Sequence, residues 1–228
     1  MQDKEQVRQR IWTALENAGA ARFPGARGRI PNFPGAEAAA ELLAELPEWQ
    51  AAGVVKSNPD APQLPVRRRA RRDGKTLYMA VPRLREDKPF VRVEGDPTIK
   101  KALAQGTPVG VEELGHVDLV VCGSVAVNHA GARVGKGGGY SDLELGLLVE
   151  AGLVDDATTI VTTVHPVQLL DEELPETAHD FRVDVVVTPT DVVRTNARRR
   201  SPGVIWQQLD DETIEAIPVL AARRPQRR

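Results

Sequence analysis

Four glycines fall within five positions in Gly135-Lys136-Gly137-Gly138-Gly139, next to one of the most apolar stretches of this 228-residue chain. Arg133 and Lys136 bracket the start of the run and Tyr140 follows it. Asp142 closes it where an apolar helical pattern begins with Leu143, Leu147 and Leu148. Glycine admits positive φ and lets the backbone approach a ligand closely. A loop of this kind that opens a helix offers unpaired amides beside two cations, which is equipment for holding anionic oxygens. A carboxylate at its far end suits the magnesium ion that accompanies a nucleotide. The chemistry indicated is phosphate binding. The competing reading is a flexible connector, although linkers rarely lie directly between an apolar strand and an apolar helix.

Two widespread phosphate loops are excluded by spacing. Gly135-Lys136 is followed by Gly137, not by the hydroxyl residue of a Walker loop. The dinucleotide pattern Gly-x-Gly-x-x-Gly, begun at Gly135 or Gly137, ends on Tyr140 or Asp142. Elsewhere, Lys4 and Arg8 stand four apart on a helical pattern and share a face, where an anion would relieve their repulsion. A solvated helix with Asp3 and Glu5 nearby is the simpler account of that pair. Asp180 precedes the apolar run at 183–187, where it could share a magnesium ion with Asp142, although a turn aspartate is the favoured reading of the residue alone.

The remaining candidates carry less. Arg67, Arg68, Arg69, Arg71 and Arg72 form the densest basic run, yet aromatics are only 4% of residues and none is interleaved, so a solvated helix face is favoured over a nucleic-acid grip. His116, His129, His165 and His179 lack metal-ligand spacing, and no zinc site is expected. The single cysteine, Cys122, excludes an internal disulfide and reads as a small core residue in a reducing compartment. A net charge of −2 gives no global field toward nucleic acid or membrane. With no apolar stretch of membrane-spanning length and a charged start, a cytoplasmic location is expected.

The elements that must position these groups alternate. Helices are expected over 3–18, 36–51, 66–72 and 142–151; strands over 52–56, 76–81, 90–93, 117–127, 159–164 and 183–187. Loops are expected over 19–35, 104–113 and 165–176, with a mixed region over 188–219. Such alternation implies an α/β three-layer sandwich: a mostly parallel central sheet covered by helices on both faces. We expect one domain over 1–220 and a basic tail over 221–228. Ligands in such folds bind at the C-terminal edge of the strands, where the glycine run lies.

The segment Gly131-Ala-Arg133-Val-Gly135-Lys136-Gly-Gly-Gly139-Tyr140-Ser-Asp142 resembles the Gly-x-Arg-Leu-Gly-x-Gly-x-Gly-Tyr-Tyr-Asp signature of the 5-formyltetrahydrofolate cyclo-ligase family. Asp118 to Asn128 is similar to the strand that leads into that signature. His179-Asp180 through Asp184 resembles the family's late Asp-x-x-x-Asp segment, and Lys4 with Arg8 its N-terminal Lys-x-x-x-Arg. The resemblance implies ATP- and magnesium-dependent conversion of 5-formyltetrahydrofolate to 5,10-methenyltetrahydrofolate. By it Lys4, Arg8, Arg133, Gly135, Lys136, Gly137, Gly138, Gly139 and Tyr140 would bind the nucleotide. Arg133, Lys136 and Tyr140 would assist the chemistry, and Asp142 and Asp180 would hold the metal. A monomer or homodimer acting on a reduced folate is the expectation.

Two departures from the family pattern stand out. Ser141 replaces the second tyrosine, and Lys56-Ser-Asn-Pro-Asp60-Ala-Pro-Gln63 lacks the glutamate usual in the substrate region. The wording of the motifs also resembles a paralogous, cyclo-ligase-like subgroup. A second reading is therefore a nucleotide-binding paralogue with a different small substrate, such as a thiamine-related one. A third is a nucleic-acid-associated module using the arginine runs.

Overall fold

Most of the apolar runs expected as strands join one eight-stranded sheet in the computed structural model, which describes residues 3–196 and 199–225. In chain order the strands are β1 (Val54–Ser57), β2 (Thr76–Ala80), β3 (Phe90–Arg92), β4 (Thr107–Val109), β5 (Leu119–Cys122), β6 (Ala126–Asn128), β7 (Arg133–Val134), β8 (Thr159–Thr163), β9 (Leu169–Leu170), β10 (Val185–Val187) and β11 (Val192–Arg194). The main sheet runs β11-β10-β8-β5-β1-β2-β3-β4. Its middle, from β10 to β2, is parallel. β11 pairs antiparallel on one side, and β3 and β4 do so on the other. A second sheet, β7-β6-β9, stands apart from it.

The helices are α1 (Lys4–Asn17), α2 (Ala36–Ala44), α3 (Pro47–Ala51), α4 (Leu64–Arg72), α5 (Ile99–Gln105), α6 (Tyr140–Glu150), α7 (Asp211–Ala216) and α8 (Pro218–Arg223). Alternation along the strands sorts the core into two layers. Leu119 and Val121 of β5 pack with α2, α3, α4 and α5 on one face. Val120 and Cys122 pack with α6, α7 and α8 on the other. The three-layer α/β sandwich is thus observed. A third cluster joins Val7, Ile11, Trp12 and Leu15 of α1 to the small sheet through Val125, Ala126, Ala132 and Val134.

Several expectations are corrected. The run 117–127 is not one strand: β5 ends at Cys122 and β6 begins at Ala126 in the other sheet. The break falls at Gly123, where an added Cβ would lie 2.9 Å from Ile30 and 3.1 Å from Asp60. Ser124 turns its hydroxyl 2.8 Å from that of Thr162, and its carbonyl accepts from Gln168. Both sheets bury this chain, so apolar continuity conceals the change. The helix expected over 36–51 is two, because Pro47 begins α3 where no N–H is needed. The loop expected over 104–113 contains the end of α5 and β4, whose Pro108 is tolerated on a sheet edge. β9 lies within the loop expected over 165–176.

Of the basic tail expected over 221–228, Arg223 closes α8 and pairs with Glu112, and Arg224 pairs with Asp211. Residues 226–228 lie outside the described residues, as does Arg198 of the smaller run. No helix among the described residues is long and apolar enough to cross a membrane.

Helix α6 packs so closely on the C-terminal region that a Cβ on Gly146 would stand 2.9 Å from the Gly203 carbonyl. That neighbour is backbone and cannot rotate away. Gly146→Ala should therefore destabilise the fold by about 1–3 kcal/mol, seen as a lower denaturant midpoint; an unchanged midpoint would show that the two segments are not locked together.

Candidate functional site

Chain connectivity places a crevice at the end of two strands. β1 continues through α4 to β2 on one side, while β5, its other neighbour, continues through α6 to β8 on the opposite side. The segments leaving β1 (Asn58-Pro59-Asp60) and β5 (Gly123) therefore diverge, and open α/β sheets take their ligands at such a point. A cavity of about 850 Å³ lies there. It is bordered by α1, the loop after β1 and the glycine run leading into α6.

The glycine run has the backbone that its sequence calls for. Gly137 has φ +102° and Gly139, immediately before α6, has φ +68°, a region that side chains rarely adopt. A Cβ on Gly137 would also come within 3.3 Å of the Arg8 guanidinium. The cations expected from sequence all border the cavity, and each already has a partner. Lys4 holds both oxygens of Asp180, at 2.6 and 2.7 Å. Arg8 donates to the Gly135 carbonyl at 2.7 Å and pairs with Glu5. Lys136 reaches across to Asp60 at 2.8 Å.

Arg133 is only 4% exposed. It pairs with Asp142 at 2.9 Å, donates to the Gly123 carbonyl at 3.3 Å and lies over the Phe181 ring at 4.2 Å. Burial alone would lower its pKa, but Asp142 and the further negative charges around it outweigh that and hold it charged. Its Nε has no hydrogen-bond partner, a rare state for a buried donor. Tyr140, the first residue of α6, borders the same cavity.

Asp142, His179 and Asp180 offer ligand atoms within 4.8 Å of one another. Burial would raise the Asp180 carboxyl, but hydrogen bonds from Lys4 and the Thr177 amide and hydroxyl reverse this and set it below the ordinary value. It is anionic at neutral pH. Asp142 offers Oδ2, since Oδ1 is the atom facing Arg133. Two carboxylates at one point fit a hard cation such as magnesium. His179 is a neighbour that its lack of sequence spacing hid; its adjacency to Asp180 is the only signal of it.

Three further features were not anticipated. Asp60 is the partner of Lys136. Arg67, the first of the arginine run, is buried and donates to the Asn58 and Asp60 carbonyls, fixing the loop after β1; desolvation lowers its pKa to about 10. Arg69 and Arg72 of the same run pair with Glu41, and Arg69 also with Asp73. Finally, Lys56 and Glu144 form a buried ion pair at 2.5 Å, with Lys56 also donating to Asn58 at 2.7 Å.

Residues 1–189 match the sequence profile of the 5-formyltetrahydrofolate cyclo-ligase family. The chain belongs to that family. It is 40% identical to the methenyltetrahydrofolate synthase domain-containing protein of Bos taurus, over 98% of this chain and 62% of that protein. The Homo sapiens protein of the same name is 39% identical, over 97% of this chain and 61% of its own length. The chain thus spans about three fifths of these curated relatives. The NMR structure of Aquifex aeolicus 5,10-methenyltetrahydrofolate synthetase shares the fold, with a TM-score of 0.56 and 21% identity over 86% of this chain and 94% of that one.

Within this cyclo-ligase fold the two departures from the family signature meet. Asn58, from the segment lacking the usual glutamate, donates to the hydroxyl of Ser141, which replaces the second tyrosine, at 3.0 Å. Lys56 and Glu144 complete that network, with Glu144 bordering the cavity and Lys56 buried behind it. Burial pushes the Glu144 carboxyl up, and the Lys56 ammonium opposes this. Lys56→Met would strand a buried carboxylate and should cost about 3–5 kcal/mol, whereas Lys56→Met with Glu144→Leu should be close to neutral. Urea denaturation of both variants checks this; equal losses would mean that the pair is not coupled.

Proposed function

We propose that the protein is an ATP- and magnesium-dependent cyclo-ligase that converts 5-formyltetrahydrofolate to 5,10-methenyltetrahydrofolate. The observation that carries the reading is the meeting of Lys4, Arg8, Arg133 and Lys136 with Asp142 and Asp180 around the glycine run, in one cavity at the sheet's switch point.

A formamide oxygen is a poor leaving group, so the γ-phosphoryl group of ATP passes to it. The neighbouring folate nitrogen then attacks the activated carbon, loses its proton, and inorganic phosphate departs with the former formyl oxygen. Catalysis of phosphoryl transfer is mostly positioning and charge neutralisation. The chain's groups suit that work. Amides of 135–139 and the start of α6 face the phosphates. Lys136 and Arg8 exchange their present partners for phosphate oxygens, and the buried Arg133 guanidinium adds positive charge behind them. Tyr140 covers the transferring group. Magnesium, held by Asp142 and Asp180, would neutralise charge on the triphosphate. No nucleophilic side chain is needed: Cys122, whose thiol burial pushes up, stays in the core.

The meeting of Asn58 with Ser141 favours a second reading, a family member that binds nucleotide but takes a different small substrate. Turnover distinguishes the two. Purified protein with Mg-ATP and 5-formyltetrahydrofolate should yield the methenyl product, followed by its near-ultraviolet absorbance; nucleotide binding with no product would leave only the second reading. Lys136→Ala and Asp142→Asn should each weaken nucleotide binding about tenfold or more, the scale of one charge-assisted contact. Calorimetric titration that finds wild-type affinity in both would remove the glycine run from the site.

A further inference from the structure

The family profile ends at residue 189, and the chain beyond it returns to the candidate site. Arg199 makes the contact. Its Nε donates to the carbonyl of Asp180 at 3.1 Å, its Nη2 donates to the carbonyl of Thr177, and its Nη1 stands 3.6 Å from Glu176. The Arg199 carbonyl accepts from the Arg182 amide at 3.0 Å. Gln208, further along the same segment, lies 3.5 Å from Nδ1 of His179. A pairing with Glu176 alone would be a surface contact of little consequence. Two carbonyls of one turn are a different target, because the planar guanidinium presents its donors as a fixed fork.

The turn so gripped carries Asp180. Its Oδ2 accepts from the Thr177 hydroxyl at 2.9 Å and from the Thr177 amide, and both carboxylate oxygens face Lys4. Arg199 therefore adds no counter-charge to the carboxylate; it fixes the backbone that aims it. The gripping segment is itself fixed. Glu150 of α6 accepts from the Val204 amide at 3.2 Å and from the Trp206 indole at 3.1 Å, and Val204, Ile214, Ile217 and Leu220 are buried in the core on that side of the sheet. We infer that residues 199–208 form a strap that completes the candidate site from outside the family-matched part of the chain, with Arg199 as the positioning residue that sets Asp180 for the metal. This inference rests on the reading in which Asp180 holds magnesium. Partners that orient a metal ligand are typically worth roughly 10–100-fold in metal affinity.

The test is the gain that magnesium gives to nucleotide affinity. A non-hydrolysable ATP analogue is titrated calorimetrically into the full chain, once with magnesium and once with EDTA. Wild-type protein should bind tenfold or more tightly with the metal. Arg199→Met keeps the aliphatic stem and removes every donor; it should reduce that gain to less than threefold while leaving affinity in EDTA within threefold of wild type. Arg199→Lys, one point donor in place of the fork, guards against a folding defect and should give an intermediate gain. Glu150→Ala loosens the strap at its far end without touching the turn, so it should lower the urea midpoint and keep the gain. A full gain in either folded Arg199 variant would overturn the assignment alone. So would a loss of equal size with and without the metal, or a gain lost equally in Glu150→Ala, since both are marks of a general scaffold. Wild-type protein that binds the analogue with no gain from magnesium would overturn it together with the metal role of Asp180.

Discussion

One guanidinium ties the site together. Arg133 is delivered by a two-residue strand of the small sheet, yet it reaches the main sheet at Gly123, the first turn of α6 at Asp142 and the ring of Phe181. Burying a charge without a counter-charge is prohibitive. Asp142 is therefore a structural necessity before it is anything else, and with it the orientation of the start of α6. The glycine run joins Arg133 to Asp142 and must close within that span, which explains the positive φ of Gly137 and Gly139. The geometry of the glycine run thus follows from the placement of one ion pair.

Around that fixed point the charges are balanced in advance. Lys4 with Asp180 and Lys136 with Asp60 link segments far apart in sequence across the cavity rim. These contacts gather cations that would otherwise repel, and their partners are exchangeable. Lys136 is half in solvent and its contact contributes little on its own. A triphosphate with a divalent cation presents the same pattern of opposite charges that the cavity already contains, so in the proposed function binding would be an exchange of partners at modest cost. The Lys56–Glu144 pair is different in kind, because both groups are buried and neither can be released without stranding a charge.

The architecture was legible because it depends on periodicity. The apolar face Val7, Ile11, Leu15 gave α1, and strands alternating with helices gave the parallel sheet. What escaped depends on long-range neighbours. Nothing in the apolar run 117–127 marks Gly123 and Ser124 as the point where the chain leaves one sheet for another; that follows from Ile30 and Asp60 around Gly123 and from Gln168 at Ser124. Of the candidate site, the glycine run, its flanking cations and Asp142 were readable from residue type and spacing, Asp180 became a candidate through the family resemblance, and the fold gathers them in one cavity. Lys56, Asn58, Asp60, Glu144 and His179 were not. Lys56 lies in a short strand where a lysine reads as an edge residue, and Glu144 shares the buried helix face of Leu147 and Leu148, where a carboxylate is not expected. Only their mutual contact makes both buried.

The most direct test is a crystal structure with magnesium and a non-hydrolysable ATP analogue. The account predicts phosphates against the amides of 135–139, Lys136 transferred from Asp60 to a phosphate oxygen, and the metal between Asp142 and Asp180 with the Arg133–Asp142 contact intact. A nucleotide bound elsewhere, with the Lys136–Asp60 contact undisturbed, would contradict it.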